Sequence, residues 1–224
     1  MTAADHRRWT SKQVWAAAHA ERAALAADLT GLADDRWATP SLCAGLDVRD
    51  VLAHLTAAAS VGPFRWIVSV VQSRFDFDRH NADRLAEQLG ADPAETLARF
   101  RRIITSTTAP FGPRIAWLGE VVVHGEDIRR PLGIGHTYDR EALTQLAIFY
   151  RSTDFTVQGR TLTRGLRVIA TDGPFAAGPD DGPRVIGTTL ALTMVMAGRP
   201  AFCAELAGDG VAILRDRLTA GARP

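Results

Sequence analysis

Four residues able to ligate a metal or move a proton, Glu120, His124, Glu126 and Asp127, fall within the stretch "GEVVVHGEDIRRPLG", beside the apolar run Val121–Val123. Glu120 and His124 are four apart, so on a helix they stack on one face, a single turn from each other. Two donors at that spacing can share one divalent ion, and a mononuclear site needs a third from another element. His54, in "DVRDVLAHLTAAASV", is the best candidate, because Val51, Leu52 and Leu55 around it would turn its helix towards a core. Two histidines and a carboxylate in a helical bundle leave coordination positions open for water or substrate, as in catalytic zinc and non-haem iron sites. Asp127, three residues beyond His124, is placed to accept from the other ring nitrogen. The commoner reading of such an isolated Glu–His pair is a solvated helix face, and of His54 a satisfied core histidine. Spacing by itself leaves both readings open.

The remaining chemistry-bearing residues point nowhere as specific. His6 and His19 on the N-terminal segment, His80 in a polar connector and His136 after a Pro-Gly turn are expected at the surface. Cys43 sits in a Pro/Gly-flanked loop, as a reactive thiol or, more often at such positions, a small hydrophobe. The sequence contains no CxxC, HExxH, GxSxG or GxGxxG stretch. That removes the common zinc-finger, metalloprotease, serine-hydrolase and dinucleotide readings. Cys43 and Cys203 lie too far apart in sequence to suggest a disulfide framework.

The elements that must carry these residues are mostly helical. Val14, Trp15, Ala18, Leu25 and Leu29 recur at helical spacing over residues 10–29, with Ser11 as N-cap and Gly31 just past the end. Asp47 opens a second helix with Asp50 at its third position, as in a capping box. "FRWIVSVVQSRF" begins a further helix, which the polar "DFDRHNADRLAEQLGAD" interrupts. Asp92 and Pro93 start another. "RIAWLGEVVVHGEDIRR" forms a helix with arginines in its last turn and Pro131 beyond it. "DREALTQLAIFYRST" is one more. After about Thr153 the pattern changes: "GLRVIATDGP" and "RVIG" read as strands around a Gly/Pro/Asp-rich turn, and "TTLALTMVMAG" as a helix. The expected division is a helical domain over 1–155 and a small α/β domain over 156–224.

Composition narrows the function classes. The 224 residues are 46% hydrophobic and 23% charged, which supports a packed core rather than disorder. Twenty-six basic and 25 acidic residues give a net charge of +1, so nothing draws the chain to nucleic acid or an anionic membrane. The N-terminus has no signal-peptide h-region, and "VIGTTLALTMVMAGRP" is too short and broken to span a bilayer. A cytoplasmic protein is expected.

Three segments carry a resemblance. "RWATPSLCAGLDVRDVLAHLTAA", "GEVVVHGEDIRRPLG" and "VIGTTLALTMVMAGRPAFCAELAGDGVAIL" resemble, in order, motifs of the mycothiol-dependent maleylpyruvate isomerase family. The resemblance implies a mainly α fold: an antiparallel four-helix DinB-like bundle followed by a small α/β C-terminal domain. It implies His54, Glu120 and His124 as ligands of a divalent ion, zinc first, with mycothiol as thiol cosubstrate. The family's substrate-binding arginines have Arg84 and Arg199 as candidate catalytic counterparts, the second through a Gly-Arg motif, although a surface arginine is the commoner reading of each. Asn81 looks family-like as a substrate-binding residue, with a turn-forming role equally open. Leu46 departs from the family, which often has Trp there.

On this reading the metal stabilises the thiolate of a low-molecular-weight thiol, which attacks a small electrophile. An isomerase would add it to a conjugated double bond, allow rotation and expel it; a transferase would leave it attached. The rivals are a metal-dependent hydrolase and a non-catalytic small-ligand-binding protein. Activity without added thiol would mark the first, and tight binding without turnover the second.

Overall fold

A computed structural model describes residues 8–60, 87–109 and 112–221. The expected helix from Phe64 onward, His80, Asn81 and Arg84 lie outside the described residues. The chain divides into two compact units, Ser11–Thr137 and Tyr138–Pro224 with Met1–Thr10.

The first unit is helical. α1 spans Ser11–Asp28, α2 Val48–Ser60, α3 Pro93–Arg102 and α4 Ile115–Leu132. Helix α1 packs on α4 and α3, and α2 on α3 and α4. The shared core holds Leu25, Leu29, Leu52, Phe100 and Ile128, all fully buried, with Trp37 from a short 3-10 turn over Asp34–Ala38. Ser11, expected as the N-cap, is instead the first residue of α1. The other two expected caps form. Asp92 Oδ1 accepts from Glu95 N at 2.7 Å, with Pro93 opening α3.

At the start of α2, Asp47 Oδ1 accepts from Asp50 N at 2.8 Å and Asp50 Oδ2 accepts from Asp47 N at 3.2 Å. This reciprocal pair fixes where α2 begins, and so the turn on which His54 sits. Asp47→Ala is expected to cost about 1 kcal/mol, read as a drop of roughly 2–4 °C in thermal midpoint for a chain of this size. An unchanged midpoint would show that packing alone sets the helix start.

Helix α4 differs from expectation at its end. It runs through Pro131 to Leu132 and stops at Gly133, whose φ of 68° is left-handed. Ile134 N bonds back to Arg129 O at 3.0 Å, closing the terminus. Proline is tolerated there because it removes only one bond of the last turn, the one to the Asp127 carbonyl.

The second unit is the α/β part. α5 spans Arg140–Ser152 and α6 Gly159–Leu162; β1 is Arg167–Ala170, β2 Ala176–Ala177 and β3 Arg184–Gly187. α7 covers Thr189–Met196, and α8 Gly210–Gly221 follows a 3-10 turn at Pro200–Glu205. The sheet order is β2-β1-β3, with β1 and β3 parallel and Val168 opposite Val185. Strand β2 returns antiparallel, and a side chain at Gly178 (φ 97°) would collide with the Leu166 carbonyl. Helix α7 lies on β1, β3 and α5.

The fold class is the expected one, mainly helical with a small three-stranded sheet. The division, however, falls at Thr137–Tyr138 and not at 155–156. Helix α5 explains the difference: its buried stripe Leu143, Leu146, Ala147 and Tyr150 belongs to an element packed on α7 and α6. Trp9 Nε1 donates to Glu141 Oε1 at 2.7 Å, which ties the start of the chain to the same unit. Among the described residues no helix is long and apolar enough to cross a membrane.

Candidate metal centre

Helix α4 is buried on most sides through Leu118, Val121, Val122 and Ile128. Trp117, Glu120, His124 and Asp127 follow one another at steps of three and four, so they share one stripe of it. On α2, Val51 and Leu52 are fully buried in the core and Leu55 nearly so, and this sets the rotation of the helix that carries His54.

The two helices bring three donors together. His124 Nε2 is 3.3 Å from Glu120 Oε2, and His54 Nε2 is 3.7 Å from the same oxygen. The imidazoles meet edge to face, with centroids 4.9 Å apart and planes at 74°. All three ligand atoms lie within 4.8 Å of one another. Ligands about 2.0–2.1 Å from a tetrahedral zinc ion are separated by roughly 3.3 Å, so the cluster is near the required size before any ion enters.

The donor set has a further mark of a cation site. Glu120 Oε2 is buried, and among the described residues it receives no well-aligned hydrogen bond, although both imidazoles lie close to it. A buried carboxylate oxygen without an aligned donor is costly, and a cation between the imidazoles and the carboxylate would relieve it. The residues therefore fit a divalent ion. Burial alone would push the Glu120 carboxyl up, but the close approach and charge of His124 and His54 hold it well below the ordinary carboxylate range.

Asp127, fully buried, accepts from His124 Nδ1 through Oδ2 at 2.9 Å. This bond places a proton on Nδ1 and leaves Nε2 as the atom turned to Glu120. Burial disfavours the charged imidazole, yet Asp127, Cys43 and Glu120 together raise His124 well above its ordinary value. In the metal-free protein the ring therefore holds a proton that an incoming ion must displace.

Two residues near this cluster were not assigned to it by sequence reasoning. Cys43 is half-buried and packs against the core as a small hydrophobe, as expected, but its Sγ also lies 3.4 Å from Asp127 Oδ2 and 3.7 Å from His124 Nδ1. No local pattern links position 43 to position 127. Trp117 carries a buried indole N–H that finds no hydrogen-bond partner among the described residues, on the ligand stripe of α4. Its spacing of three from Glu120 was a readable signal.

The other expected residues lie as follows. Arg199 precedes the Pro200–Glu205 turn in the second unit, where its Nη1 donates to Ala197 O at 2.7 Å. Arg84 and Asn81 are outside the described residues. His19 and His136 are not surface histidines as expected. His19 Nε2 is 3.1 Å from Ser106 O, and His136 Nε2 pairs with the buried Glu21 at 2.9 Å. Each joins separate parts of the first unit, a long-range pairing that turn signals do not report.

Residues 18–112 match a family model, the mycothiol maleylpyruvate isomerase N-terminal domain. This stretch is similar to that domain. The match takes in most of α1, the Cys43 loop, α2 with His54, and α3. It ends before α4, so Glu120, His124 and Asp127 lie outside the matched stretch. No curated protein gives a significant match. Among solved structures, the chain is similar to a mycothiol-dependent maleylpyruvate isomerase in which a histidine is replaced by alanine. That likeness has a TM-score of 0.58 at 14% identity and covers 89% of this chain and 93% of the other. A second structure of the mycothiol-dependent maleylpyruvate isomerase gives 0.54 at 14% identity, covering 85% and 90%. At that identity the likeness shows the fold.

Proposed function

We propose that this protein is a metal-dependent enzyme that uses a low-molecular-weight thiol, mycothiol by its family, as nucleophile towards a small electrophile, as isomerase or S-transferase. The observation that carries this reading is the convergence of His54 and His124 on one buried carboxylate oxygen of Glu120. It stands in a chain with a mycothiol maleylpyruvate isomerase domain. A divalent ion held by these three residues, zinc first, would stabilise a thiolate at neutral pH and keep it beside an open position.

The protein's own residues do the rest. Glu120 supplies the negative charge that holds a cation, and the two imidazoles supply neutral nitrogens. Asp127 keeps the His124 ring in the tautomer that presents Nε2. Trp117, one turn before Glu120, offers its unpartnered N–H to an oxygen of the bound thiol or electrophile. Such a donor, buried without an acceptor, costs about 1–3 kcal/mol until a ligand satisfies it. Arg199 and Arg84 are proposed anchors for carboxylate groups, and Asn81 a proposed substrate-binding residue. A cytoplasmic setting, where low-molecular-weight thiols are reduced, suits this chemistry.

The test is turnover of a conjugated cis-dicarboxylic electrophile with and without added thiol, before and after chelation. The expected result is activity that needs both thiol and metal, returns when zinc is restored, and falls about tenfold in Trp117→Phe, which keeps the ring and loses the N–H. Thiol-independent turnover would replace this reading with hydrolysis, and chelator-resistant turnover would remove the metal from it.

A further inference from the structure

Because Pro131 has no N–H, the Asp127 carbonyl four residues back receives no helical hydrogen bond. The backbone N–H of Leu42 takes that place, at 3.1 Å. The next side chain along, Cys43, then reaches the Asp127 carboxylate, with Sγ 3.4 Å from Oδ2. The loop that presents this thiol is held from within. Cys43 N donates to Ser41 Oγ at 3.0 Å, and Ser41 Oγ donates to Leu46 O at 2.8 Å. Leu46 N bonds to Cys43 O at 3.1 Å, and Pro40 and Asp47 form a bridge across the base of the loop. Asp47 then caps α2, the helix of His54. One loop thus grips α4 at Asp127 and sets the start of α2.

We propose that Cys43 is a positioning residue of the metal centre. Its thiol fixes the Asp127 carboxylate so that Oδ2 accepts from His124 Nδ1, which leaves His124 Nε2 turned towards Glu120 and His54. The thiol and the imidazole reach the same carboxylate oxygen, so the thiol loads Asp127 at the atom that orients His124. The inference rests on the metal reading of His54, Glu120 and His124. The Cys43, His124 and Asp127 atoms are themselves close enough to hold an ion, but the 2.9 Å contact with Asp127 occupies Nδ1 with a hydrogen bond. The thiol therefore acts as a donor to Asp127, not as a ligand.

Cobalt(II) titration of the metal-free full-length protein in thiol-free buffer tests this, with the visible spectrum recorded at each step. The proteins are wild type, Cys43→Ala, Cys43→Ser, Asp127→Asn and the Cys43→Ala/Asp127→Asn double variant. Wild type is expected to show tetrahedral ligand-field bands and no sulfur-to-cobalt charge-transfer band. Cys43→Ala is expected to bind roughly tenfold more weakly, in the range of residues that orient metal ligands. Cys43→Ser, which keeps a donor, is expected within about threefold of wild type on the same basis. In the Asp127→Asn background the loss of the thiol should cost almost nothing further, because the two residues act as one unit.

An unchanged affinity and spectrum in Cys43→Ala would overturn the inference and leave the metal reading standing. So would a penalty equally large in the Asp127→Asn background, which would mean general loosening of the fold. A charge-transfer band in wild type would make the thiol a ligand and overturn it as well. Wild type that takes up no cobalt would overturn the metal reading and this inference together.

Discussion

His54→Ala is expected to leave the fold intact and to lose its metal. Wild-type protein purified without added metal or chelator should carry close to one zinc per chain, and the variant almost none. The His54 side chain is partly exposed at the edge of a packed helix, so its truncation empties no core position; its neighbours Val51, Leu52 and Leu55 do the packing. The loss of metal follows from ligand number. Structural zinc sites with four protein ligands bind with about 10–16 kcal/mol, so one ligand accounts for roughly 2.5–4 kcal/mol, or about two to three orders of magnitude in affinity. Elemental mass spectrometry on both proteins, with His19→Ala as a control outside the cluster, measures it. Equal zinc in wild type and His54→Ala would remove His54 from the ligand set.

The second large effect is on the pH dependence of stability, and its sign differs between the metal-free and loaded protein. His124 is raised above its ordinary 6.5 in the metal-free fold. Its contribution is therefore fully present below pH 6.5 and is lost as pH rises through the folded value. Glu120 is depressed below 4.5, so its contribution is present above pH 4.5 and is lost as pH falls through the folded value. Metal-free protein is thus expected to be most stable between about pH 4.5 and 6.5. Above that window it loses about 1.4 kcal/mol per pH unit until the His124 proton is gone.

With zinc bound, the ring must already be deprotonated, so the loaded protein should show no such alkaline decline. Thermal midpoints from pH 5 to 9, with chelator or with zinc, should diverge on the alkaline side by roughly 3–5 °C per pH unit. Parallel curves would mean that His124 is not the group a metal displaces. His124→Gln should flatten the metal-free curve.

How far the site could be read from the sequence depends on whether its parts are local. The stacking of Glu120 over His124, and the place of Asp127 three residues on, follow from the geometry of one helix. Asp47 and Asp92 were legible as caps for the same reason, since a cap is a contact over three residues. Helix, strand and turn types came through because apolar period and turn residues are local as well. Pro131 misled as a helix stop because the pattern does not say whether its missing bond will be made good. Here it is, by Leu42, from a distant loop.

Tertiary structure decided what sequence spacing leaves open. Only the packing of α2 against α4 sets His54 Nε2 at 3.7 Å from Glu120 Oε2, and no distance along the chain encodes that. The contacts of Cys43 with Asp127, and of His136 with Glu21, are likewise side-chain meetings across more than 80 residues of chain. The division at Thr137 was hidden because α5 has the same helical period as the bundle before it. Which unit it joins depends on the partner its stripe Leu143, Leu146 and Tyr150 finds, and that partner is α7. The sequence by itself determined the helices, their caps and the ligand types carried on α2 and α4. The fold decided that these donors meet around one buried oxygen, because burial of the apolar faces, not the polar residues themselves, sets how the two helices are turned.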